Sequence, residues 1–416
     1  MAEDDIYKSK ARYEKIIKNL SLLAVKPENG SRRKYYCKNI NNLECFKQMC
    51  KIFEVKDTSY IRRIRLFKSL IFIVDSTEKD LKKCEREDVN EIVARGHKTY
   101  NTPKTKEDII RDLKYMWKCL FPEKDEKGRV DETIVPYTVR HLSPKVDKSK
   151  QKRRKDRLNI EQLEKLMNFF SRSPMMQFYI ALIIESLGRP QELSYLRISD
   201  LEIHDNTYAK IYVSEHGKEG TKFLQCIDSY PYLLKWFTVH PFKDNKNAFL
   251  FIASGREDNQ FTPVNATKQL QKACERLNLP RVTAYSLKRN GVTFARLRGE
   301  SDVEIQHKAG WTSTKQINTY DQSNAEDVLK NQLAKRGLIK DKNYDMFTPK
   351  QKTCLCGENL GFAERICPKC KRLIHQEDIK KQMNADNLTT QVLKKIGEQN
   401  KELILKAMAE LGVRNV

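Results

Sequence analysis

One stretch of the chain, AGWTSTKQINTY from Ala309 to Tyr320, places a tyrosine nine residues after a tryptophan. Its Gly310 is suited to ending a helix, because glycine adopts the left-handed backbone of a helix C-terminus at little steric cost. Further upstream, AYSLKR at 284–289 carries two adjacent cations. A tyrosine, several cations and an indole N–H supply a nucleophile and groups that stabilise charge on a phosphate. The stretch therefore indicates a helical unit that presents these side chains at sharply structured positions.

GRPQEL at 188–193 lies before this stretch and places Arg189 shortly after an apolar run, Met175 to Ile184. That run is interrupted by Gln177 and is far shorter than the ~20 residues that cross a bilayer, so it predicts a core helix and not a membrane span. Arg189 at the end of such a helix is better explained as a positioned phosphate ligand than as a surface arginine.

A β-hairpin is predicted between these two regions. Strand-like runs at 208–214 and 223–227 are joined by HGKEGTK, whose two glycines suit a hairpin loop. Lys218 lies in this loop, and Lys222 belongs to the same segment. Either lysine is available for acid catalysis.

In their order and spacing, over about residues 158–338, these segments resemble the tyrosine recombinases of the phage integrase family. The resemblance implies a mixed helical catalytic domain with a small hairpin or sheet, preceded by a helical core-binding domain that clamps the opposite face of DNA. It also implies cleavage and rejoining of DNA through a 3′-phosphotyrosyl intermediate. Because that link conserves the bond energy, neither ATP nor a catalytic metal is required.

The resemblance also assigns roles to individual residues. Tyr320 is the implied nucleophile. Arg189 and Lys288 neutralise the phosphate oxygens, and Trp311 donates a further hydrogen bond to them. Lys218 protonates the leaving 5′ oxygen, with Lys222 as the alternative.

Three positions depart from the common family pattern. Tyr285 stands where the family most often has histidine, as in variants of archaeal integrases, and Trp311 replaces another histidine. Lys288 stands where the family has its second arginine, and lysine offers a point charge in place of a bidentate fork. Three alternatives remain open: Lys288 serves with lower efficiency, the adjacent Arg289 reaches the phosphate, or the enzyme is weakened.

Composition agrees with a nucleic-acid partner. The chain has 416 residues, 79 of them Lys or Arg against 55 Asp or Glu, for a formal charge of +24. Such a surplus points to a polyanion, with double-stranded DNA first. Without a secretory signal at the start, and with seven cysteines scattered without paired spacing, we expect a protein of the reducing cytoplasm.

Patterning along the chain predicts a mainly α protein of several units. These are a helical core-binding domain at 1–145, a basic linker at 146–157, the catalytic domain at 158–340, a zinc-ribbon-like module at 350–375 and an amphipathic helix at 376–416. The linker is either a solvated tether or a segment that lies along phosphates. The last helix either folds back on its own domain or docks on a neighbouring protomer, which would suit an enzyme that works as a tetramer.

The cysteine module contains two close pairs of thiols, and its members are Cys354, Cys356, Cys367 and Cys370. Two such pairs suit tetrahedral binding of a structural Zn²⁺, although the first pair is one residue closer than usual. His375 is near enough to replace one ligand, and a disulfide or redox pair is the alternative. Similar zinc-ribbon tails follow the catalytic domain in archaeal recombinases, so the resemblance extends to that type.

Two other functions remain open on the sequence. A type IB topoisomerase shares the chemistry, but the compact helical first unit and the short hairpin favour the recombinase. A non-catalytic DNA-binding relative is the third hypothesis, because Tyr285 and Lys288 depart from the family pattern.

Overall fold

A computed structural model describes residues 5–131, 133–145, 155–205, 207–213, 222–253, 259–339, 352–354, 356–360 and 366–373, with 384, 394, 395, 406 and 410. The chain divides into two compact units, Met1–Arg153 and Arg154–Val416. Lys218, His375 and the apolar stripe predicted within 376–416 lie outside the described residues. Among the helices that are described, none is long and apolar enough to cross a membrane.

The first unit is helical, as its 3.6-residue apolar spacing predicts. Its helices are α1 (Ser9–Lys18), α2 (Leu43–Val55), α3 (Tyr60–Ser76), α4 (Arg86–Thr99), α5 (Pro103–Leu120) and α6 (Tyr137–Arg140). Aromatic rings fill the core between them. The ring centre of Phe67 lies 5.3 Å from that of Phe46 and 5.3 Å from that of Phe53, and all three side chains are fully buried.

The first unit also contains one short hairpin. Strands β1 (Glu123–Lys124) and β2 (Val130–Asp131) pair antiparallel. Gly128, at φ +76°, supplies the left-handed turn between them, and its N–H donates to the Asp125 carbonyl. A strand of two residues is too short to show alternation, so the sequence carried no signal of this hairpin.

The second unit contains a helical layer and a small antiparallel sheet. Its elements are α7 (Ile160–Phe169), α8 (Pro174–Ser186), α9 (Pro190–Tyr195), β3 (Leu201–His204), β4 (Tyr208–Val213), β5 (Lys222–Cys226), α10 (Tyr230–Val239), α11 (Pro263–Arg276), α12 (Ala284–Arg298), α13 (Asp302–Ala309), α14 (Ile317–Tyr320) and α15 (Ala325–Lys335). Two short strands follow near the cysteines, β6 (Lys352–Thr353) and β7 (Asn359–Leu360).

The sheet has the order β3-β4-β5, so the predicted hairpin gains a third strand. Ile211 at its centre pairs with Leu201 on one side and Leu224 on the other. Ala209, Ile211 and Val213 are buried while Tyr208 and Tyr212 are exposed, which is the alternation expected of a strand with one face on the core. The four residues of β3 are too few to reveal that pattern in the sequence.

Helix α8 forms the centre of the second unit, and every residue from Met176 to Ser186 is buried. A helix that is apolar on all sides must be enclosed by other elements, and α10, α12 and β5 pack against it. The helix ends at Leu187, which takes the left-handed conformation (φ +54°). That turn redirects the chain, so that Arg189 becomes the residue that caps α9.

The approach of α12 to α8 generates a stability prediction. A Cβ added to Gly291 would lie 2.5 Å from the Ile184 carbonyl oxygen and 2.8 Å from Leu187 Cδ2. We therefore expect Gly291→Ala to lower the free energy of unfolding by about 1 to 3 kcal/mol, the usual cost of overpacking. Urea denaturation followed by circular dichroism measures the change.

Gly96→Ala is the matched control, because Gly96 also lies within a helix but its added Cβ would meet no atom closer than 3.6 Å. There the better helix propensity of alanine should add up to about 1 kcal/mol. Equal effects of the two substitutions would contradict the close packing of α8 and α12.

Candidate active site

Four candidate side chains of the second unit occupy defined positions at helix ends. Arg189 caps α9, and Lys288 lies in the second turn of α12. Trp311 follows the left-handed cap of α13 at Gly310 (φ +69°), and Tyr320 is the last residue of α14. The predicted stop at Gly310 is therefore confirmed.

Lys288, Trp311 and Tyr320 come together in one cluster. The ring centres of Trp311 and Tyr320 are 5.0 Å apart. Lys288 Nζ lies 5.1 Å from the centre of the Trp311 ring and 5.6 Å from that of Tyr320. A cation near aromatic faces is stabilised by their quadrupoles. The Lys288 side chain is fully buried, so this contact places its amino group beside the candidate nucleophile.

An apolar layer supports the cluster from beneath. Tyr320 packs on a set of buried side chains of the second unit, most of them from α12, α13 and α14, and these are Leu187, Val292, Ala295, Ile305, Ala309, Trp311 and Ile317. Trp311 is only 4% exposed. Within the described part of the chain its indole Nε1 has no hydrogen-bond partner, so a donor is available at the site.

A second cluster joins Arg189, Glu192 and Lys222. Lys222 Nζ lies 2.9 Å from Glu192 Oε2, and that oxygen also accepts the backbone N–H of Arg189 at 2.8 Å. Arg189 Nη1 is 3.7 Å from the other carboxylate oxygen. Glu192 is 2% exposed and Lys222 10%, so the carboxylate holds two cations in a nearly dry setting.

Lys222 also connects the hairpin to the segment before Trp311. Its ammonium group donates to the Ala309 carbonyl at 3.0 Å. Its side chain passes so close to Gly310 that an added Cβ there would lie 2.6 Å from Lys222 Cδ. Of the two hairpin lysines, Lys222 is thus placed at the site by contacts, while Lys218 lies outside the described residues.

The two remaining candidates flank Lys288 on α12. Tyr285 is half-buried, three residues before it. The guanidinium of Arg289 pairs with the Asp156 carboxylate and donates to Ser286 Oγ at 3.1 Å. Of the two adjacent cations, Lys288 is the one in contact with the Tyr320 ring, and Arg289 is engaged by Asp156.

The four cysteines of the C-terminal module also converge. Their sulfur atoms all lie within 4.8 Å of one another, with Cys354 Sγ 3.5 Å from Cys370 Sγ and Cys356 Sγ 3.6 Å from Cys367 Sγ. Disulfide sulfurs are about 2.05 Å apart, whereas four thiolates at about 2.3 Å from one Zn²⁺ lie about 3.8 Å from each other. The donor set therefore fits a tetrahedral metal better than a disulfide.

Local hydrogen bonds favour the thiolate form at one of these positions. Burial raises the pKa of Cys367, but the backbone N–H groups of Cys370 and Lys369 donate to its sulfur, and the pKa comes down to about 7. Hydrogen bonds to the charged form of a group lower its pKa in this way.

Both clusters lie within the segment of the chain that matches a known protein family. Residues 156–327 match the model of the phage integrase family. A search of the curated proteins found no match for the sequence.

Solved structures share the fold of this chain. XerH site-specific recombinase, bound to palindromic difH substrate as a post-cleavage complex, is 14% identical with a TM-score of 0.55, over 80% of this chain and 96% of that one. A lambda integrase dimer bound to a COC′ core site is 15% identical with a TM-score of 0.53, over 68% and 95%.

The Tn1549 transposon integrase in complex with transposon right end DNA is 13% identical with a TM-score of 0.51, over 70% of this chain and 99% of that one. At such identities the likeness concerns the fold alone. The predicted mainly α architecture with a small sheet is confirmed.

Some residues that organise the second unit were missed by sequence reasoning. Glu192 was recognised only as part of a motif, yet it holds both Arg189 and Lys222. Asp156 falls in the predicted basic linker at 146–157, yet it binds Arg289. The sequence did hold one signal. Asp156 is the single carboxylate among seven cations at 148–157, and a carboxylate in such a run is a candidate for an ion pair with a distant residue.

The Glu192–Lys222 pair generates the second prediction. Removing one partner of a buried ion pair leaves the other uncompensated and costs about 3 to 5 kcal/mol, whereas replacing both with apolar groups is often neutral. We expect Glu192→Gln to lower the free energy of unfolding by about 3 kcal/mol, and Glu192→Gln combined with Lys222→Met to recover most of that loss. Urea denaturation of the two variants measures both values, and a double variant no more stable than the single would contradict the pairing.

Proposed function

We propose that this chain is a site-specific DNA recombinase or integrase that cleaves and rejoins DNA through a 3′-phosphotyrosyl intermediate. The observation that carries the proposal is the cluster in which buried Lys288 lies against the rings of Trp311 and Tyr320. A cation and an indole N–H beside a tyrosine are the groups that phosphoryl transfer to a phenol oxygen requires. The match of residues 156–327 to the phage integrase family supports it.

The proposed step exchanges one phosphoester for another. The Tyr320 hydroxyl releases its proton to water and forms a bond to phosphorus while the bond from phosphorus to the 5′ oxygen breaks. The leaving oxygen takes a proton from a hairpin lysine. Because the number of P–O ester bonds is unchanged, the reverse reaction joins a 5′ hydroxyl without ATP, and cations of the chain itself provide the charge stabilisation.

We assign the phosphate contacts to Arg189, Lys288 and the Trp311 indole N–H. Fixed cations in a partly dry site stabilise the extra negative charge of the transition state more strongly than they would in water. Lys288 takes the place of the second arginine of the family pattern, since Arg289 is engaged by Asp156. Tyr285, in the preceding turn, replaces the usual histidine.

The leaving oxygen requires a proton donor from the hairpin. Lys222 is supported by its position beside Glu192 and Ala309. Lys218 remains the alternative proposed from the sequence. Comparing Lys218→Ala with Lys222→Ala on a substrate whose 5′ oxygen is replaced by sulfur separates the two, because a thiolate leaves without protonation.

The proposed substrate is double-stranded DNA. The formal charge of +24 favours a polyanion, and the fold neighbours XerH, lambda integrase and Tn1549 integrase were all solved with DNA. We propose that the first unit is the core-binding clamp, that the protein self-associates on DNA as a tetramer, and that it acts in the cytoplasm.

The four cysteines form the proposed zinc site. They would hold Zn²⁺ as a closed structural centre that contributes folding energy to a small module. A zinc-bearing tail after an integrase domain supports assignment to the archaeal type of the family.

The third prediction tests the recombinase function. Nicked suicide duplexes tiled across the DNA on both sides of the gene are incubated with the wild type and with Tyr320→Phe, and adducts are resolved on a denaturing gel. We expect an adduct with the wild type and none with Tyr320→Phe, because phenylalanine lacks the attacking oxygen. A wild type that binds these duplexes tightly and forms no adduct, even after Lys288→Arg, favours the non-catalytic DNA-binding relative.

The fourth prediction concerns the metal. Native mass spectrometry of the purified chain should show one zinc ion, and Cys367→Ser should lower the zinc occupancy at least tenfold, because one of four thiolate ligands is lost. Cys274→Ser is the control, since Cys274 is buried in the integrase domain core and is not part of the cluster. Zinc retained in full by Cys367→Ser would contradict the site.

A further inference from the structure

Residues 156–158 enter the second unit beside α12, and we call them the strap. The sequence assigned Asp156 and Arg157 to a basic linker, but both are engaged by side chains of the second unit. The Leu158 N–H donates to Asn290 Oδ1 at 2.6 Å, and Asn290 Nδ2 donates to the Asp156 carbonyl at 2.9 Å. Asn290 thus fixes the backbone of the strap on α12.

The Asp156 carboxylate binds two different parts of the integrase domain. One oxygen accepts from Arg289 Nη2 and, at 2.8 Å, from Ser286 Oγ, both on α12. The other oxygen accepts from Gln322 Nε2 at 2.6 Å. Its side chain is only 14% exposed, so these bonds form in a setting of reduced water access.

Gln322 is the second residue after Tyr320, and it is held in two ways. Its backbone N–H donates to Thr293 Oγ1 on α12 at 2.9 Å, and its side chain is bound by Asp156. Arg157 adds a third contact, since it pairs with Asp327 and donates to the Gln322 carbonyl at 3.3 Å. The chain that leaves α14 is therefore fastened to the same helix that carries Lys288.

We propose that Asp156 is a positioning residue that sets the distance between Tyr320 and Lys288. The inference rests on the proposed function and adds a residue outside its reacting groups. Asp156 bridges α12 to the segment that follows the nucleophile, so loss of the bridge lets that segment shift against Lys288. A displacement of about 1 Å in a site of this kind costs on the order of 100-fold in rate.

The charge on Asp156 is present at neutral pH. Burial raises the pKa of this carboxyl, but hydrogen bonds from Arg289, Gln322 and Ser286 outweigh burial and lower the pKa below its usual value. Asp156→Asn keeps the size of the side chain while it removes this charge, and it replaces one accepting oxygen by a donating NH₂ group. That NH₂ group cannot accept from Gln322 Nε2, so the bond seen in the structure is lost and can be replaced only if the Gln322 amide turns over.

The fifth prediction measures the cleavage step apart from binding. On a suicide duplex at saturating protein, Asp156→Asn should form adduct ten- to 100-fold more slowly than the wild type, while its Kd for the duplex changes less than twofold. Gln322→Met removes the same bridge from a partly exposed position and should slow cleavage similarly. Because both act through one bond, the double variant should be no slower than the slower single variant.

Asp75→Asn is the matched control. Asp75 is a buried carboxylate paired with Arg95 in the first unit. Its cleavage rate at saturation should stay within twofold of the wild type. A wild type that forms adduct, with Asp156→Asn cleaving equally fast, overturns the inference and leaves the proposed function standing. Additive losses in the double variant overturn it as well.

Hydrogen exchange tests the positioning without any catalysis. In Asp156→Asn the amide of Gln322, which donates to Thr293, should exchange at least tenfold faster than in the wild type, while amides within α8 keep their rates. Unchanged exchange at Gln322 contradicts the inference even if the chain cleaves no DNA.

Discussion

Helix α12 approaches α8 at Gly291 more closely than any side chain would allow, since an added Cβ would lie 2.5 Å from the Ile184 carbonyl oxygen. The positions of two cations of the candidate site, Arg189 and Lys288, depend on this approach. Arg189 follows the left-handed turn that ends α8, and Lys288 lies three residues before Gly291 on α12. Because both helices are buried in the same core, the two cations are positioned by packing and not by flexible loops.

The site also depends on keeping charges out of water without leaving them uncompensated. Glu192 neutralises Lys222 next to Arg189, and Asp156 neutralises Arg289. Lys288 is placed against two aromatic rings. The two adjacent cations of α12 therefore differ in their contacts. Arg289 binds the Asp156 carboxylate, while Lys288 lies against the Tyr320 ring.

Sequence reasoning predicted the mainly helical architecture and the hairpin because each had a local signal. Asn159 and Gln162 form a capping box at the start of α7, and Gly310 ends α13 as expected. What the sequence did not show depends on distant partners. Asp156 meets Gln322 across 166 positions, and Lys222 meets Ala309 across 87. The strands β1, β2 and β3 were missed because two to four residues cannot display a period of two.

The central claim is that the hydroxyl oxygen of Tyr320 forms the covalent link to DNA. Digesting a trapped adduct with nuclease and protease, and sequencing the modified peptide by mass spectrometry, identifies the linked residue among the 17 tyrosines of the chain. The account predicts a nucleotide joined through its 3′ phosphate to the Tyr320 oxygen. A nucleotide on any other residue, or linkage through a 5′ phosphate, would contradict it.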